Sequence, residues 1–296
     1  MTKKLLTFSI VLCSLFSFGQ KYNLKKDLED IIKNKQATVA VSVNSLDDNF
    51  NLNISGDKRL PMQSVFKFHI ALAVLDGVDK GDFALNDFVL ITRNQLLENT
   101  WSPMRERFPK KGNVKIRLSQ ILKYTVSESD NNGADILIRM LDGPANVEKF
   151  ITQQGIKDFS IKFNEEEMHR ITDLQYQNYT TTNSLNQLLK RFYEGKIVSK
   201  ESTEFLMNAL VETNTGKKRL IAQLPQVTTL AHKTGTSFTE NGLTAATNDA
   251  GIVTLPNGKH YVISVFVSDS KENEETNEKI IADISKKVFD YFSRNK

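Results

Sequence analysis

The sequence predicts an α/β protein of the α+β type, with an antiparallel sheet of about five strands built from both chain ends. Alternating apolar and polar residues near the start and the end of the chain indicate half-buried strands. Between these ends, residues 61–210 carry apolar positions at helical spacing. We therefore expect helices on the sheet and an all-helical subdomain inserted between its strands.

The first residues have the pattern of a secretory signal peptide. MTKK is basic, LLTFSIVLCSLFSF is apolar, and small and polar residues follow up to Gln20. This pattern predicts export with 1–19 as the signal peptide, because a membrane anchor would need a longer apolar run. Cys13 is the only cysteine, so the mature chain would have neither a disulfide nor a thiol nucleophile.

Residues 20–296 are predicted to form a single domain with two parts. The α/β part is expected at about 20–60 plus 211–296, and the helical part at about 61–210. The first part begins with a polar helix near Asn23–Lys35 and a hairpin, ATVAVSVNSLDD and NFNLNIS. Its other predicted elements are the strands TTLAHKTGTS, AATNDAGIVTLP and KHYVISVFVSD and the closing helix ETNEKIIADISKKVFDYFSRN.

The helical part is predicted from three segments with apolar stripes, LSQILKY, ADILIRMLDG and TNSLNQLLKRFYEG. Two of them end in glycine, as helices commonly do. A cleft between two such parts is a natural ligand site.

The composition excludes some classes of function. Hydrophobic residues make up 40% and charged residues 25% of the 296 residues, which is ordinary for a soluble globular protein. The formal charge of +4 is spread along the chain, so we do not expect nucleic-acid binding. The carboxylates and histidines lack metal-ligand spacing, and we expect no metal and no cofactor.

Ser64 and Lys67 lie at the head of a long apolar run, MQSVFKFHIALAVLD. Positions i and i+3 share one helix face, so the amine would lie beside the hydroxyl. Ser-x-x-Lys also occurs at Ser55, Ser268 and Ser293, but in polar, turn-like or terminal stretches. Alone, the pair also fits a helix-capping serine and a lysine whose amine reaches water.

Two further motifs favour catalysis. Ser129-Asp130-Asn131 precedes a predicted helix, and Lys233-Thr234-Gly235 lies inside a predicted strand. Each alone has an ordinary explanation, since Asp and Asn commonly cap helices and Gly in a strand commonly marks a bulge. The three motifs in this order are the signature of class A β-lactamases and penicillin-binding proteins.

The whole mature chain resembles a class A serine β-lactamase. The stretches PMQSVFKF, TWSP, YTVSESDN, YQN and HKTGTS resemble most the PER/VEB-like extended-spectrum subgroup of Gram-negative bacteria. The resemblance implies hydrolysis of penicillins and cephalosporins, including oxyimino-cephalosporins, through a serine acyl-enzyme, and hence antibiotic resistance. It also implies small-molecule β-lactam substrates, a periplasmic location and, after signal cleavage, no membrane attachment. We expect a monomer.

The resemblance assigns a role to each motif residue. Ser64 would be the nucleophile, Lys67 would hold or accept its proton, and the backbone N–H groups of Ser64 and Thr236 would form the oxyanion hole. Ser129 would pass a proton to the lactam nitrogen, assisted by Lys233. The substrate-binding residues would be Asn131, Lys233, Thr234 and Thr236, while Asp130 would brace its loop.

A deacylating base is expected in FNEEEMHRITDLQYQN, residues 163–178, which we call the Ω loop. Glu165, Glu166 and Glu167 compete for this role, and resemblance to the subgroup selects Glu165. His169 follows at i+4 and would share the water if the segment is helical. Many class A enzymes close this loop with an Arg–Asp ion pair, but Phe163 and Asn178 cannot form one, which leaves its path open.

Three further residues are candidates by resemblance. Arg219 matches an arginine that binds the substrate carboxylate, and the alternative is a surface arginine. Trp101, the only tryptophan, matches an aromatic residue at the cleft mouth, and the alternative is a buried loop anchor. Gln63 is expected to hydrogen-bond the Ω loop.

Two other functions share the same acylation residues. One is a penicillin-binding DD-peptidase or serine esterase, and the other is a β-lactam sensor that acylates without turnover. Glu165 in a competent Ω loop discriminates these from a β-lactamase, because only hydrolysis needs a base that activates water on the ester.

Overall fold

The structure is a computed structural model that describes residues 23–109 and 112–294. The predicted signal peptide, 1–19, lies outside the described residues. The strands are β1 (Thr38–Ser45), β2 (Asn51–Ile54), β3 (Leu60–Pro61), β4 (Phe88–Ile91), β5 (Val114–Arg117), β6 (Phe159–Ser160), β7 (Tyr179–Thr180), β8 (Thr229–Thr236), β9 (Thr239–Glu240), β10 (Leu243–Thr254) and β11 (His260–Ser270).

The helices surround this sheet framework. They are α1 (23–32), α2 (Phe66–Lys80), α3 (Pro103–Glu106), α4 (Leu118–Ser127), α5 (Asn131–Met140), α6 (Pro144–Gln153), α7 (Glu165–Arg170), α8 (Thr182–Tyr193), α9 (Lys200–Val211) and α10 (Glu274–Arg294). Short 3₁₀ turns cover Gln63–Val65, Arg93–Gln95 and Thr172–Gln177.

The main sheet joins both chain ends, and the predicted fold class is confirmed. Within the described residues it has six strands in the order β2-β1-β11-β10-β8, with β9 paired to β10, and every pairing is antiparallel. β8, which carries the Lys233 motif, is therefore the strand at the edge of this order. That position places Lys233 beside the helical part.

Alternation along the strands explains how the sheet is covered on both faces. In β11, Tyr261, Ile263 and Val265 pack with apolar residues of α1 and α10, whereas Val262 and Phe266 pack with the core that includes α2 and α8. Both sets are fully buried. A strand buried on both faces has a nearly continuous apolar sequence, as YVISVFV does.

The region 61–210 is mostly helical but contains short strands that periodicity did not predict. Within the described residues, β4 pairs with β5, and β7 joins β3 and β6 in a small sheet. α2 runs through the core, with most of its residues buried. Its first turn carries Lys67 and directly follows the 3₁₀ turn that carries Ser64, so packing holds this region on several sides. In the described part of the chain, no helix is both long and apolar enough to cross a membrane.

Candidate active site

The candidate nucleophile lies on a tight turn at the head of α2. Ser64 is half-buried in the 3₁₀ turn Gln63–Val65. Gln63 has a φ of 47°, a left-handed conformation that is uncommon for a residue with a side chain. The turn is anchored from outside, since Met62 N donates to Asn178 O (2.9 Å) and Asn248 Nδ2 donates to Pro61 O (2.8 Å). These contacts fix where the Ser64 hydroxyl lies.

Lys67 is completely buried and is surrounded by oxygen atoms. Its Nζ donates to Ser64 Oγ (2.7 Å), Ser129 O (2.9 Å) and Asn131 Oδ1 (2.5 Å), and lies 2.8 Å from Glu165 Oε1. Burying an unpaired cation is costly, and these partners offset that cost. The lysine is thus the centre of the cluster, in contact with the other predicted catalytic residues.

The start of α5 and the loop before it supply two of those partners, Asn131 Oδ1 and Ser129 O. Ser129 has a φ of 58°, and its carbonyl faces Lys67 while its hydroxyl accepts from Lys233 Nζ (2.9 Å). Asp130 caps α5 through Gly133 N (2.8 Å) and also accepts from Met104 N (2.7 Å). Burial raises the pKa of Asp130, against the lowering effect of these hydrogen bonds. Asp130 therefore holds the loop from behind.

Lys233 reaches the cluster from the opposite side, on strand β8. It is buried, and its Nζ donates to Ser129 Oγ (2.9 Å) and to Thr234 O (3.0 Å). Burial, aided by the nearby Lys67 cation, lowers the pKa of Lys233 well below its usual range. The Asp249 and Glu165 carboxylates oppose this effect, and a bound anion would favour the protonated amine further.

Gly235 allows β8 to approach the nucleophile turn. A Cβ at this position would lie 2.3 Å from Met62 O and 3.1 Å from Gln63 Cβ. Asn248 on the neighbouring strand β10 pairs with Gly235 and is fully buried. The hydrogen bond from Asn248 to Pro61 O joins the nucleophile turn to the sheet. The sequence did not predict this role, because an asparagine in an apolar strand does not indicate which segment it contacts.

The three competing glutamates have different environments. Asn164 caps α7, so that Glu165 begins the helix. Glu165 is buried with its carboxylate at Lys67 and 3.4 Å from Ser64 Oγ. Glu166 is exposed, and Glu167 bonds back to Asn164 N (3.0 Å) as part of the capping box. Of the three, Glu165 is the one placed beside Ser64.

Asp135 holds the start of α7 and was missed by the sequence analysis. Its two carboxylate oxygens accept from Glu165 N (2.8 Å) and Glu166 N (3.0 Å). Burial and then the Glu165 charge raise the pKa of Asp135 to about 7. A carboxylate inside the apolar run ADILI, one turn after Asn131, was the indication that could have identified it.

Asn178 closes the Ω loop in place of an ion pair. It is fully buried, accepts from Lys162 N (2.8 Å) and Phe163 N (3.0 Å), and donates to Phe163 O (2.7 Å). The path of the Ω loop, which the sequence left open, is therefore fixed by the Asn178 side chain. This amide joins the end of the loop to the backbone at its start.

Arg219 is not a surface residue. It is buried and pairs with Glu278 of α10 at 3.2 Å. It also donates to Gly235 O (3.1 Å), Asn248 O (3.0 Å) and Thr236 Oγ1 (2.8 Å). Arg219 therefore reaches the cleft through the Thr236 hydroxyl, and nothing in the sequence pattern indicated its pairing with Glu278.

The remaining predicted residues lie around the cleft. Trp101 is 62% exposed rather than buried, although its indole N–H donates to Glu128 O (3.0 Å). Gln63 Nε2 donates to Gln175 Oε1 of the Ω loop, and His169 is exposed in the cleft wall on the helical segment. The Thr234 hydroxyl bonds to that of Thr215 (2.7 Å) and not directly to the cluster.

The cluster opens into a cleft of about 490 Å³ that both parts of the fold line. The Ω loop forms one wall and the β8–β10 edge the other, with Phe238 80% exposed at the rim. Among residues 23–109 and 112–294, no group of three His, Cys, Asp or Glu side chains is arranged to hold a metal ion.

Comparison with known proteins agrees with this geometry. A family model described as "Beta-lactamase enzyme family" matches residues 23–292. β-Lactamase VEB-1 of Pseudomonas aeruginosa is 45% identical over 97% of this chain and 96% of its own. The extended-spectrum β-lactamase PER-1 of the same organism is 40% identical over 96% and 92%. The crystal structure of TLA-1 extended-spectrum β-lactamase superposes with a TM-score of 0.90 at 51% identity, covering 92% of this chain and 99% of that one.

Fold and cleft together thus define a hydrolase that opens β-lactam rings. The chain belongs to the β-lactamase enzyme family and is a class A β-lactamase, an enzyme of antibiotic resistance.

Proposed function

We propose that this enzyme hydrolyses penicillins and cephalosporins, including oxyimino-cephalosporins, through an acyl-enzyme on Ser64. The observation that carries the proposal is the position of Lys67 Nζ, 2.7 Å from Ser64 Oγ and 2.8 Å from Glu165 Oε1. A hydroxyl, an amine and a carboxylate within hydrogen-bond reach form an activated nucleophile with its base.

Acylation would begin with attack of Ser64 Oγ on the lactam carbonyl carbon. The hydroxyl proton has two acceptors within reach, Lys67 Nζ when it is neutral and Glu165 Oε1 at 3.4 Å. The backbone N–H groups of Ser64 and Thr236 would stabilise the oxyanion. The close contact of Gly235 with Met62 supports this assignment, since it brings the two chain segments together.

The C–N bond of the ring would then break, and the nitrogen needs a proton. Ser129 Oγ would donate it, and the bond from Lys233 Nζ to this hydroxyl supports that role. Lys233, whose Nζ donates to this hydroxyl, would then return a proton to Ser129. The result is an ester of Ser64 with an opened ring.

Deacylation would use Glu165 as the base for a water molecule. The water attacks the ester carbonyl, its proton moves to Glu165, and the released Ser64 oxygen is reprotonated. Asp135 and Asn178 support this role, because they hold the backbone on either side of Glu165. His169 would border the same water from the next turn of α7.

Substrate binding would depend on the carboxylate that β-lactams carry. Lys233, Thr234 and Thr236 would receive it, with Arg219 positioning the Thr236 hydroxyl and adding a positive charge. Asn131 would donate to the side-chain amide of the substrate, and Trp101 would border the cleft mouth. The open cleft and the extended-spectrum name of PER-1 support oxyimino-cephalosporins as substrates.

We also propose that the enzyme is exported to the periplasm after removal of residues 1–19 and acts there as a monomer. The remaining chain would be one domain, with an α/β part at about 20–60 plus 211–296 and a helical part at about 61–210. The basic and apolar start of the sequence supports export.

Intact-mass spectrometry after adding a cephalosporin tests the acyl-enzyme. We expect a transient adduct and hydrolysed product with the wild-type protein, and neither with Ser64→Ala. Ser293→Ala is the matched control, because Ser293 has the same spacing to a lysine but is exposed on α10. An adduct that persists on wild type would favour the peptidase or sensor, and an adduct on Ser64→Ala would refute the nucleophile.

A further inference from the structure

The second half of the Ω loop forms the outer wall of the cleft. Asp135 and Asn178 fix the half that carries Glu165. The 3₁₀ segment Thr172–Gln177 follows, and its residues Thr172, Asp173, Gln175 and Tyr176 line the cleft. How this segment is held decides the shape of the space beside the nucleophile.

Tyr176 connects this segment to the main sheet. Its hydroxyl donates to Asp269 Oδ1 at 2.6 Å, and the tyrosine is 38% exposed at the cleft. Burial and the hydrogen bond to Asp269 raise the pKa of Tyr176 above its usual value. A short hydrogen bond to an ionised acceptor is stronger than one between neutral groups.

Asp269 has an unusual backbone conformation at the end of β11. Its φ is 48°, although residues on either side are paired with β10, Ser268 with Ala246 and Ser270 with Thr244. Asp269 is exposed while these neighbours are buried. Aspartate tolerates positive φ better than most residues, and this conformation places the carboxylate where Tyr176 reaches it.

The wall opposite the Ω loop makes the contact between Tyr176 and Asp269 relevant to substrates. Phe238, Glu240, Leu243 and Ala245, from the β8–β10 edge, line the cleft together with the Ω-loop residues. A large acyl side chain must fit between these two walls, whereas the cluster around Lys67 is held by separate contacts.

We propose that the hydrogen bond from Tyr176 to Asp269 is a specificity-determining contact that positions the outer wall for bulky acyl side chains. This inference rests on the proposed function. Tyr176 is a positioning residue here, acting through the segment Thr172–Gln177. Substrates with a large oxyimino side chain depend on the wall, and benzylpenicillin depends on it much less.

Steady-state kinetics of Tyr176→Phe test the contact, because this change removes only the hydroxyl. We expect KM for an oxyimino-cephalosporin to rise about tenfold, the lower end for a hydrogen bond to a charged group, with kcat within about twofold. Both constants for benzylpenicillin should stay within about twofold. Tyr193→Phe is the control, since this half-buried tyrosine packs against His260 with its ring tilted and is not among the cleft residues.

A second variant separates positioning from folding. Asp269→Asn keeps a residue that tolerates positive φ and weakens the acceptor, so we expect a smaller rise in the same KM. The double variant should be no worse than Tyr176→Phe, because the two changes remove one contact. The proposal would be overturned if kcat/KM fell equally for the oxyimino-cephalosporin and benzylpenicillin and the unfolding temperature fell as well. An unchanged KM for the oxyimino-cephalosporin would also overturn it. A wild-type protein that forms no adduct or leaves the cephalosporin intact would instead refute the proposed function.

Discussion

Replacing Gly235 with alanine tests how the strand and the nucleophile turn fit together. The added Cβ would lie 2.3 Å from Met62 O, 3.1 Å from Gln63 Cβ and 3.2 Å from Val65 Cγ2. The carbonyl is backbone and cannot rotate away as a side chain could. The strand and the turn must therefore separate by about 1 Å to restore ordinary contact.

That separation acts directly on catalysis. The proposed oxyanion hole takes one N–H from each side of this contact, Ser64 and Thr236, so one donor would lose its position. A misplacement of about 1 Å can reduce a rate on the order of 10²-fold, and loss of one oxyanion donor costs about 10²–10³-fold. We expect kcat/KM of Gly235→Ala to fall within that range, with about 1–3 kcal/mol lost from the free energy of unfolding.

Steady-state hydrolysis of a chromogenic cephalosporin, with thermal unfolding of the same samples, measures both effects. Gly77→Ala is the control, because its Cβ would meet the Phe83 ring at 2.7 Å at the far end of α2. It should lose stability and keep kcat/KM. If Gly235→Ala is folded and retains kcat/KM within about threefold, the close approach does not position the oxyanion hole.

Three further predictions follow from the site. Because the pKa of Asp135 is raised from 3.8 to about 7, its contribution to stability is complete below pH 3.8 and lost as the pH rises through 7. In urea unfolding, the free energy of unfolding of Asp135→Asn should rise relative to that of wild type by up to about 4 kcal/mol as the pH goes from 4 to 8. A difference between the two proteins that does not change with pH would contradict this. Arg219→Ala should lower kcat/KM for carboxylate-bearing β-lactams about 10–100-fold and leave Glu278 buried without its partner, at about 3–5 kcal/mol of unfolding free energy; an unchanged kcat/KM would remove Arg219 from the site. Hydrolysis should be unaffected by EDTA, and a loss restored by zinc would contradict a serine mechanism.

The longer strands and several of the helices followed from the sequence because their physical causes are local. Alternation predicted β1 and β11, and helical spacing predicted α8 and α10, since buried faces require those periods. The short strands β4 and β5 were missed because four residues within a helical region are too few to show a period. They pair with each other, so the pairing of two segments more than twenty residues apart had to be known to identify them.

The residues of the site likewise divide into those with a local sequence pattern and those that depend on distant contacts. The motif residues Ser64, Lys67, Ser129 and Lys233 could be selected because their order and spacing are recognisable. The residues that hold them could not, because Asn248 and Glu278 act across distant segments of the chain. Asn178 was noted only as unable to form an ion pair, since a side-chain amide bonded to backbone leaves no sequence pattern.

The central claim is that Glu165 activates water on an ester of Ser64. The structure makes the three neighbouring glutamates a matched set, since Glu165 is buried at Lys67, Glu166 is exposed, and Glu167 accepts from Asn164 N in the capping box. Glutamine can replace Glu167 in a capping box, so that variant should keep its fold.

Intact-mass spectrometry of the three Glu→Gln variants under steady cephalosporin tests this claim most directly. We predict that the acyl-enzyme accumulates in Glu165→Gln, which still has Lys67 for acylation, while Glu166→Gln and Glu167→Gln turn over nearly as wild type does. Accumulation in Glu166→Gln instead, or in none of the three, would contradict deacylation by Glu165.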